Sequence, residues 1–169
     1  AKNQKQFQQE QLVQKALEVK KVLEAKKVLE AKKDLEAKKD FNMKLTDNFS
    51  LEEFECKCGC KMPEFVKKNI IELADNLQVL RDTVGRLDLT NAYRCKEHNA
   101  DVGGSTNSQH LKGKAADIKS KAFSPGEIAT ITDDLMKNES FVLGGVGIYN
   151  TFTHVDIRRT RARWSKTTK

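Results

Sequence analysis

A six-residue unit repeated four times, from Ala16-Leu17-Glu18-Val19-Lys20-Lys21 to Asp34-Leu35-Glu36-Ala37-Lys38-Lys39, sets the tightest limit on how this chain can fold. Its residues are strong helix formers, and no Gly or Pro precedes Gly59, so a long N-terminal helix is expected. In each unit a Glu precedes a Lys by three (Glu18/Lys21, Glu24/Lys27, Glu30/Lys33, Glu36/Lys39), which sets opposite charges on one surface. Six residues carry a helix about 240° past a full turn. Leu17, Leu23 and Leu29 therefore point in three directions, and only Leu35 returns to that of Leu17. A coiled-coil seam needs a spacing near 3.5 or 3.67, which this repeat lacks. A weaker stripe of Val13, Leu17, Val28, Ala31 and Leu35 is interrupted by Lys20 and Glu24. The expectation is a solvated, ion-pair-laced spacer or tether, in preference to an oligomerising helix.

Charge follows the same division. The 169 residues carry a net +7; residues 1–44 hold 12 Lys against 7 acids, and the rest contributes only +2. Up to residue 40 the only aromatic is Phe7. The expected organisation is a Lys/Glu-rich arm over 1–44 and one domain over 45–169, whose length of about 125 residues is typical of a single domain. No run approaches the ~18 apolar residues of a membrane span. No apolar run follows the basic residues of Ala1–Gln6, so synthesis in the cytoplasm without a signal peptide is expected.

Within 45–169, Ser50-Leu51-Glu52-Glu53 is a capping-box pattern that predicts a short helix over 51–55. After Pro63, apolar residues recur at threes and fours (Phe65, Val66, Ile70, Leu73, Leu77, Leu80, Val84) until Gly85, predicting a longer helix. Leu87–Tyr93, Ala115–Lys119, Val146–Tyr149 and Phe152–Ile157 read as strands, and Lys96–Val102 as a short helix. Ser124 caps a further helix that opens at Pro125 and runs to about Asn138. Helices and strands mix without regular alternation, so the class is α+β.

Three histidines occur, His98, His110 and His154. Gly113 permits a tight turn, so His110 and Asp117 can converge across it. His154 and Asp156 lie two apart on a strand and share a face. Two imidazoles and a carboxylate form a three-ligand set that leaves a fourth position for water, as in catalytic zinc sites. On spacing alone, hydrogen-bonded buried His and Asp explain the pattern better than a metal site does.

The neighbouring motifs narrow that choice. Tyr93-Arg94-Cys95, Asn99, Val102-Gly103-Gly104, Ser108-Gln109-His110, Gly113, Ala115-Ala116-Asp117-Ile118, Gly145-Val146-Gly147-Ile148-Tyr149 and His154-Val155-Asp156 follow in order. From about 48 to 164 the chain resembles the zinc D-Ala-D-Ala carboxypeptidase family, which includes phage peptidoglycan endopeptidases and shares its fold with hedgehog domains. The resemblance implies a small antiparallel sheet with flanking helices, and zinc held by His110, Asp117 and His154. It implies that Arg94 binds a substrate carboxylate or tetrahedral oxyanion, and that Ser108, Gln109, Tyr149 and Trp164 contact substrate. Trp164 could instead cap the core. Such a zinc ion lowers the pKa of its water to about 7.

Many members carry Glu or Asp three positions before the second His, where this chain has Thr151. Asp156 is therefore expected as the acid/base group, or as a partner of Arg158 or Arg94 that orients the site. His98 is expected on a helix surface or behind the ligands. Cys56, Cys58, Cys60 and Cys95 form a possible structural cluster, and two disulfides, a four-Cys zinc site and free thiols all remain open. Arg158–Trp164 is basic, but such runs are usually solvated faces, so nucleic acid is disfavoured. The expected function is cleavage of a peptide bond in bacterial peptidoglycan at the cell wall, by a phage-encoded lysin or virion component. The arm would then tether other virion or tail proteins. The competing expectation is a non-catalytic wall-binding or virion module of the same fold.

Overall fold

The computed structural model describes residues 14–15, 18–32 and 43–168. The chain divides into two compact units, Ala1–Phe41 and Asn42–Lys169.

In the first unit, residues 18–32 are helical (α1) and every one is exposed. Val19, Val22, Leu23, Val28 and Leu29 are each more than half exposed, as a six-residue period requires. The expected partners Lys33, Glu36 and Lys39, and the stripe residues Val13, Leu17 and Leu35, lie outside the described residues.

The second unit starts with a 3-10 turn, Leu51–Phe54, where the Glu53 carboxylate accepts from the Ser50 N–H at 2.9 Å. Helix α2 (Glu64–Val84) follows Pro63 and stops at Gly85. It buries Val66, Ile70, Leu73, Ala74, Leu77, Leu80 and Val84 along one stripe. Each such Leu or Ile removed from water contributes about 1.5–3 kcal/mol. Phe65, the first residue of the expected stripe, is instead 64% exposed.

Five strands form one sheet in the order β1-β2-β4-β3-β5. They are β1 (Leu87–Asn91), β2 (Ala115–Ser120), β3 (Gly145–Tyr149), β4 (Thr153–Asp156) and β5 (Ala162–Lys166). The α+β architecture is as expected, but the antiparallel sheet is extended by one strand: β5 runs parallel to β3. That strand comes from the segment expected to be a basic surface run. Short helix α3 (Lys96–Asp101) follows β1, and α4 (Pro125–Lys137) packs on β3 and β4 and touches α2. Reciprocal bonds between Ser124 and Glu127 fix the start of α4. The core lies between α2, α4 and the sheet, with Ile118, Val146 and Val155 facing it.

The arginines after β4 are not a free polycationic face. Arg159 pairs with Glu72, while Arg161 and Arg163 both reach Asp133. Arg158 is bound to Asp156.

Candidate active site

His110 sits in a 3-10 turn, Gln109–Lys112. The Ser108 hydroxyl caps it by accepting the His110 N–H at 3.3 Å. Gly113 closes the turn with φ 66, a left-handed conformation that glycine adopts without strain. The chain then enters β2, which returns Asp117 to the side of His110. In the β2–β4 ladder Asp117 stands directly opposite His154, so two central strands supply the other two side chains.

Three donor atoms meet there. His110 Nε2 lies 3.2 Å from His154 Nδ1 and 3.3 Å from Asp117 Oδ1, and His154 Nδ1 lies 3.0 Å from the same oxygen. Ligands about 2.0–2.1 Å from a tetrahedral ion stand about 3.3 Å apart, so this triangle fits one metal with an open fourth position.

The remaining ring nitrogens fix the tautomers. His110 Nδ1 lies 2.6 Å from the Ala92 carbonyl, which can only accept, so Nδ1 carries the proton and Nε2 keeps its lone pair. His154 Nε2 lies 3.0 Å from Asp156 Oδ2, which leaves Nδ1 as the free donor.

Asp156 is fully buried behind His154 and lies outside the cleft. Its Oδ1 accepts from Gly145 N, Arg158 N and Arg158 Nε at 2.9, 3.2 and 2.8 Å. Its Oδ2 accepts from Arg158 Nη2 at 2.6 Å as well as from His154. Both oxygens of Asp156 are thus engaged within the protein.

Burial pulls the His110 pKa down. Burial acts likewise on His154, but Asp117 and Asp156 on either side outweigh it and raise that pKa. Burial would raise both carboxylates. The imidazoles hold Asp117 well below the usual range, and His154 and Arg158 do the same for Asp156.

A pH dependence follows. A metal-free His154 with a raised pKa holds its proton over more of the neutral range, and a metal must displace it. Metal affinity is expected to fall as pH drops from about 8 to about 6, by at least the tenfold per unit of one competing proton once His154 is protonated. Chelator competition across that range checks the sign; affinity that is flat or rises on acidification contradicts it.

The triangle forms the floor of a cleft of about 770 Å³. Arg94, Arg158 and Lys166 line it, and Asp117 is its only carboxylate among the described residues. Ser108, Gln109, Tyr149 and Trp164, the residues expected to contact substrate, line the cleft too. The Trp164 ring lies 5.0 Å from that of His154, and its Nε1 donates to the Tyr149 hydroxyl at 3.2 Å. Gly147 permits this approach, because a Cβ there would stand 2.3 Å from the indole.

Arg94 is only 9% exposed, and its Nε has no partner. Among the described residues no carboxylate forms a salt bridge with it. Burial lowers its pKa, with Asp117 acting in the opposite direction.

His98 lies half-buried in α3, outside the cleft. The four cysteines gather at a separate place, with no disulfide among them. Sequence reasoning missed Arg158 and Lys166 as cleft residues. The available signal for Arg158 was an Arg two positions after Asp156, hidden inside a run of arginines.

The sequence profile of the family described as Peptidase M15 matches residues 47–156, nearly two thirds of the chain. The chain belongs to the peptidase M15 family. M15 peptidases are metal-dependent, and the His110–Asp117–His154 triangle offers such a metal a place inside the matched M15 segment. No curated protein matches the chain. Strand β5, with Trp164, lies beyond the M15 match, as do Arg158 and Lys166. Among the described residues no helix is long and apolar enough to cross a membrane.

Proposed function

We propose that this M15 domain is a zinc-dependent peptidase that hydrolyses a peptide bond of bacterial peptidoglycan, as carboxypeptidase or endopeptidase, and that it is phage-encoded. The observation that carries the reading is a triangle of two correctly tautomerised imidazoles and a carboxylate oxygen beneath a cleft whose buried Arg94 has no counter-ion among the described residues. Stem peptides of peptidoglycan bear carboxylates, and a cleft lined by three cations with one carboxylate suits them.

His110 Nε2, Asp117 Oδ1 and His154 Nδ1 would hold the zinc. When bound, it supplies Lewis acidity that polarises the scissile carbonyl and acidifies a water. Arg94 offers a fork of donors to the substrate carboxylate or to the oxyanion as charge develops. Trp164 and Tyr149 wall the cleft and exclude water from one side. Asp156 keeps the proton on His154 Nε2 and so aims Nδ1; it positions a ligand and exchanges no proton with substrate. The arm over 1–44 tethers the domain to a virion or tail assembly, and the enzyme acts at the cell wall.

The deciding experiment is incubation with purified cell wall, with and without chelator. Chelator-sensitive appearance of new termini supports the enzyme. No new termini at full zinc occupancy supports the second reading, a non-catalytic wall-binding module. Two features favour that alternative: Thr151 stands where the family resemblance implies a carboxylate, and no acid other than Asp117 lines the cleft among the described residues.

The positioning role of Asp156 has its own expected result. Asp156→Asn should weaken zinc retention by about 10–100-fold, with most turnover restored when zinc is saturating. Chelator competition and turnover at saturating zinc separate the roles. Turnover that stays collapsed with zinc fully bound would assign Asp156 to proton transfer.

A further inference from the structure

None of the four cysteines lines the cleft, and the mechanism leaves them unused. Cys56, Cys58 and Cys60 lie on the loop after the Leu51–Phe54 turn, and Cys95 immediately precedes α3. Their four sulfurs lie within 4.8 Å of one another. Cys58 Sγ is 3.3 Å from Cys56 Sγ and 3.5 Å from Cys95 Sγ. Disulfides would divide four sulfurs into two couples, each about 2.05 Å apart. Here Cys58 is shared almost evenly between two neighbours, which is a cluster and not a couple. Four sulfurs about 2.3 Å from one tetrahedral zinc stand about 3.8 Å apart, close to the separations found.

The backbone is shaped to the same end. The Gly59 N–H donates to the Cys56 carbonyl at 2.9 Å, and φ 76 at Gly59 turns the chain so that the Cys58 and Cys60 sulfurs both join the cluster despite the Cys-x-Cys spacing. Two sulfurs also accept backbone protons: Cys95 N–H to Cys56 Sγ at 3.3 Å, and His98 N–H to Cys95 Sγ at 3.4 Å. Such bonds stabilise thiolates in metal sites.

We propose that Cys56, Cys58, Cys60 and Cys95 bind a second, structural zinc ion that fastens the 56–60 loop to the segment carrying Arg94. That segment is otherwise tied by Tyr93 N–H to the Phe54 carbonyl at 3.0 Å, and by the Ala92 carbonyl to His110 Nδ1. The ion therefore braces both the cleft arginine and the acceptor that sets the His110 tautomer. The assignment stands independently of what the cleft does.

The test uses the full chain, purified under reducing conditions without chelator. Elemental analysis is expected to give two zinc ions per chain. A His110→Ala/Asp117→Ala protein should keep one, and a Cys58→Ser/Cys95→Ser protein should also keep one, held by the other site. In the wild type, the four thiols should resist a thiol-reactive dye until a strong chelator is added. Cobalt substitution should give the intense charge-transfer absorption of a thiolate site, and that absorption should survive His110→Ala/Asp117→Ala. If the Cys variant does not fold, dye protection and the cobalt spectrum of the wild type still decide. Thiols that react at once in the native protein would overturn the proposal. So would a native mass short of four hydrogens, the signature of two disulfides. Loss of zinc confined to the His–Asp site would fault the cleft reading alone, because the cysteine-bound ion would remain.

Discussion

His110→Ala is expected to bring peptide-bond cleavage down to the assay background while the chain still folds. The loss should be on the order of 10³-fold or more, since even a single stabilising donor is worth about 10²–10³. The substitution removes Nε2, one of the three donors, and leaves Asp117 and His154 as a pair that holds a metal poorly. It also frees the Ala92 carbonyl, a buried acceptor whose lost partner costs about 1–3 kcal/mol. That cost is small enough for most domains to remain folded. The measurements are turnover on purified cell wall, zinc content, and thermal unfolding of the variant. Wild-type turnover with the His–Asp zinc gone would remove this triangle from the mechanism.

Arg94→Ala has the second-largest expected effect, about 10²–10³ in kcat/KM. The way the loss divides tells which anion Arg94 meets. A rise in KM alone means a substrate carboxylate held equally in ground and transition states; a fall in kcat means the developing oxyanion. Arg94→Lys should recover little, because an ammonium cannot present a planar fork. Stability supplies the control. Burial without a counter-ion disfavours the charged guanidinium in the fold, so its removal should leave the melting temperature unchanged or higher. A large fall in melting temperature with unchanged kinetics would make Arg94 a structural residue.

The parts of this fold visible in the sequence are those whose causes are local. Helix α2 could be read from Val66, Ile70, Leu73 and Leu77 because spacing alone sets a buried stripe. The starts of α2 and α4 were signalled by Pro63 and by Ser124 with Glu127. Strand β5 was hidden for a complementary reason. Ala162-Arg163-Trp164-Ser165-Lys166 carries two cations, and its pairing is with β3, where Gly145 stands opposite Ala162. Arg163 becomes compatible with a sheet only through Asp133 on α4, a partner no local pattern reveals. In the cleft, His110, Asp117 and His154 stood out as residue types able to ligate. The role of Asp156 depended on which side of the imidazole it occupies, and sequence gives a strand face but not a ring nitrogen. Arg158 depended on Asp156 in turn.

The pairing of Asp117 with His154 across β2 and β4 has a consequence for how this domain tolerates change. A strand shifted by one position turns its side chains to the opposite face, so a slip would send one donor into the core and dismantle the triangle. An ion bound there would therefore work as an alignment pin, rewarding one pairing of the central strands over all displaced ones. A single inserted residue in β2 or β4 should accordingly cost both the metal and the sheet.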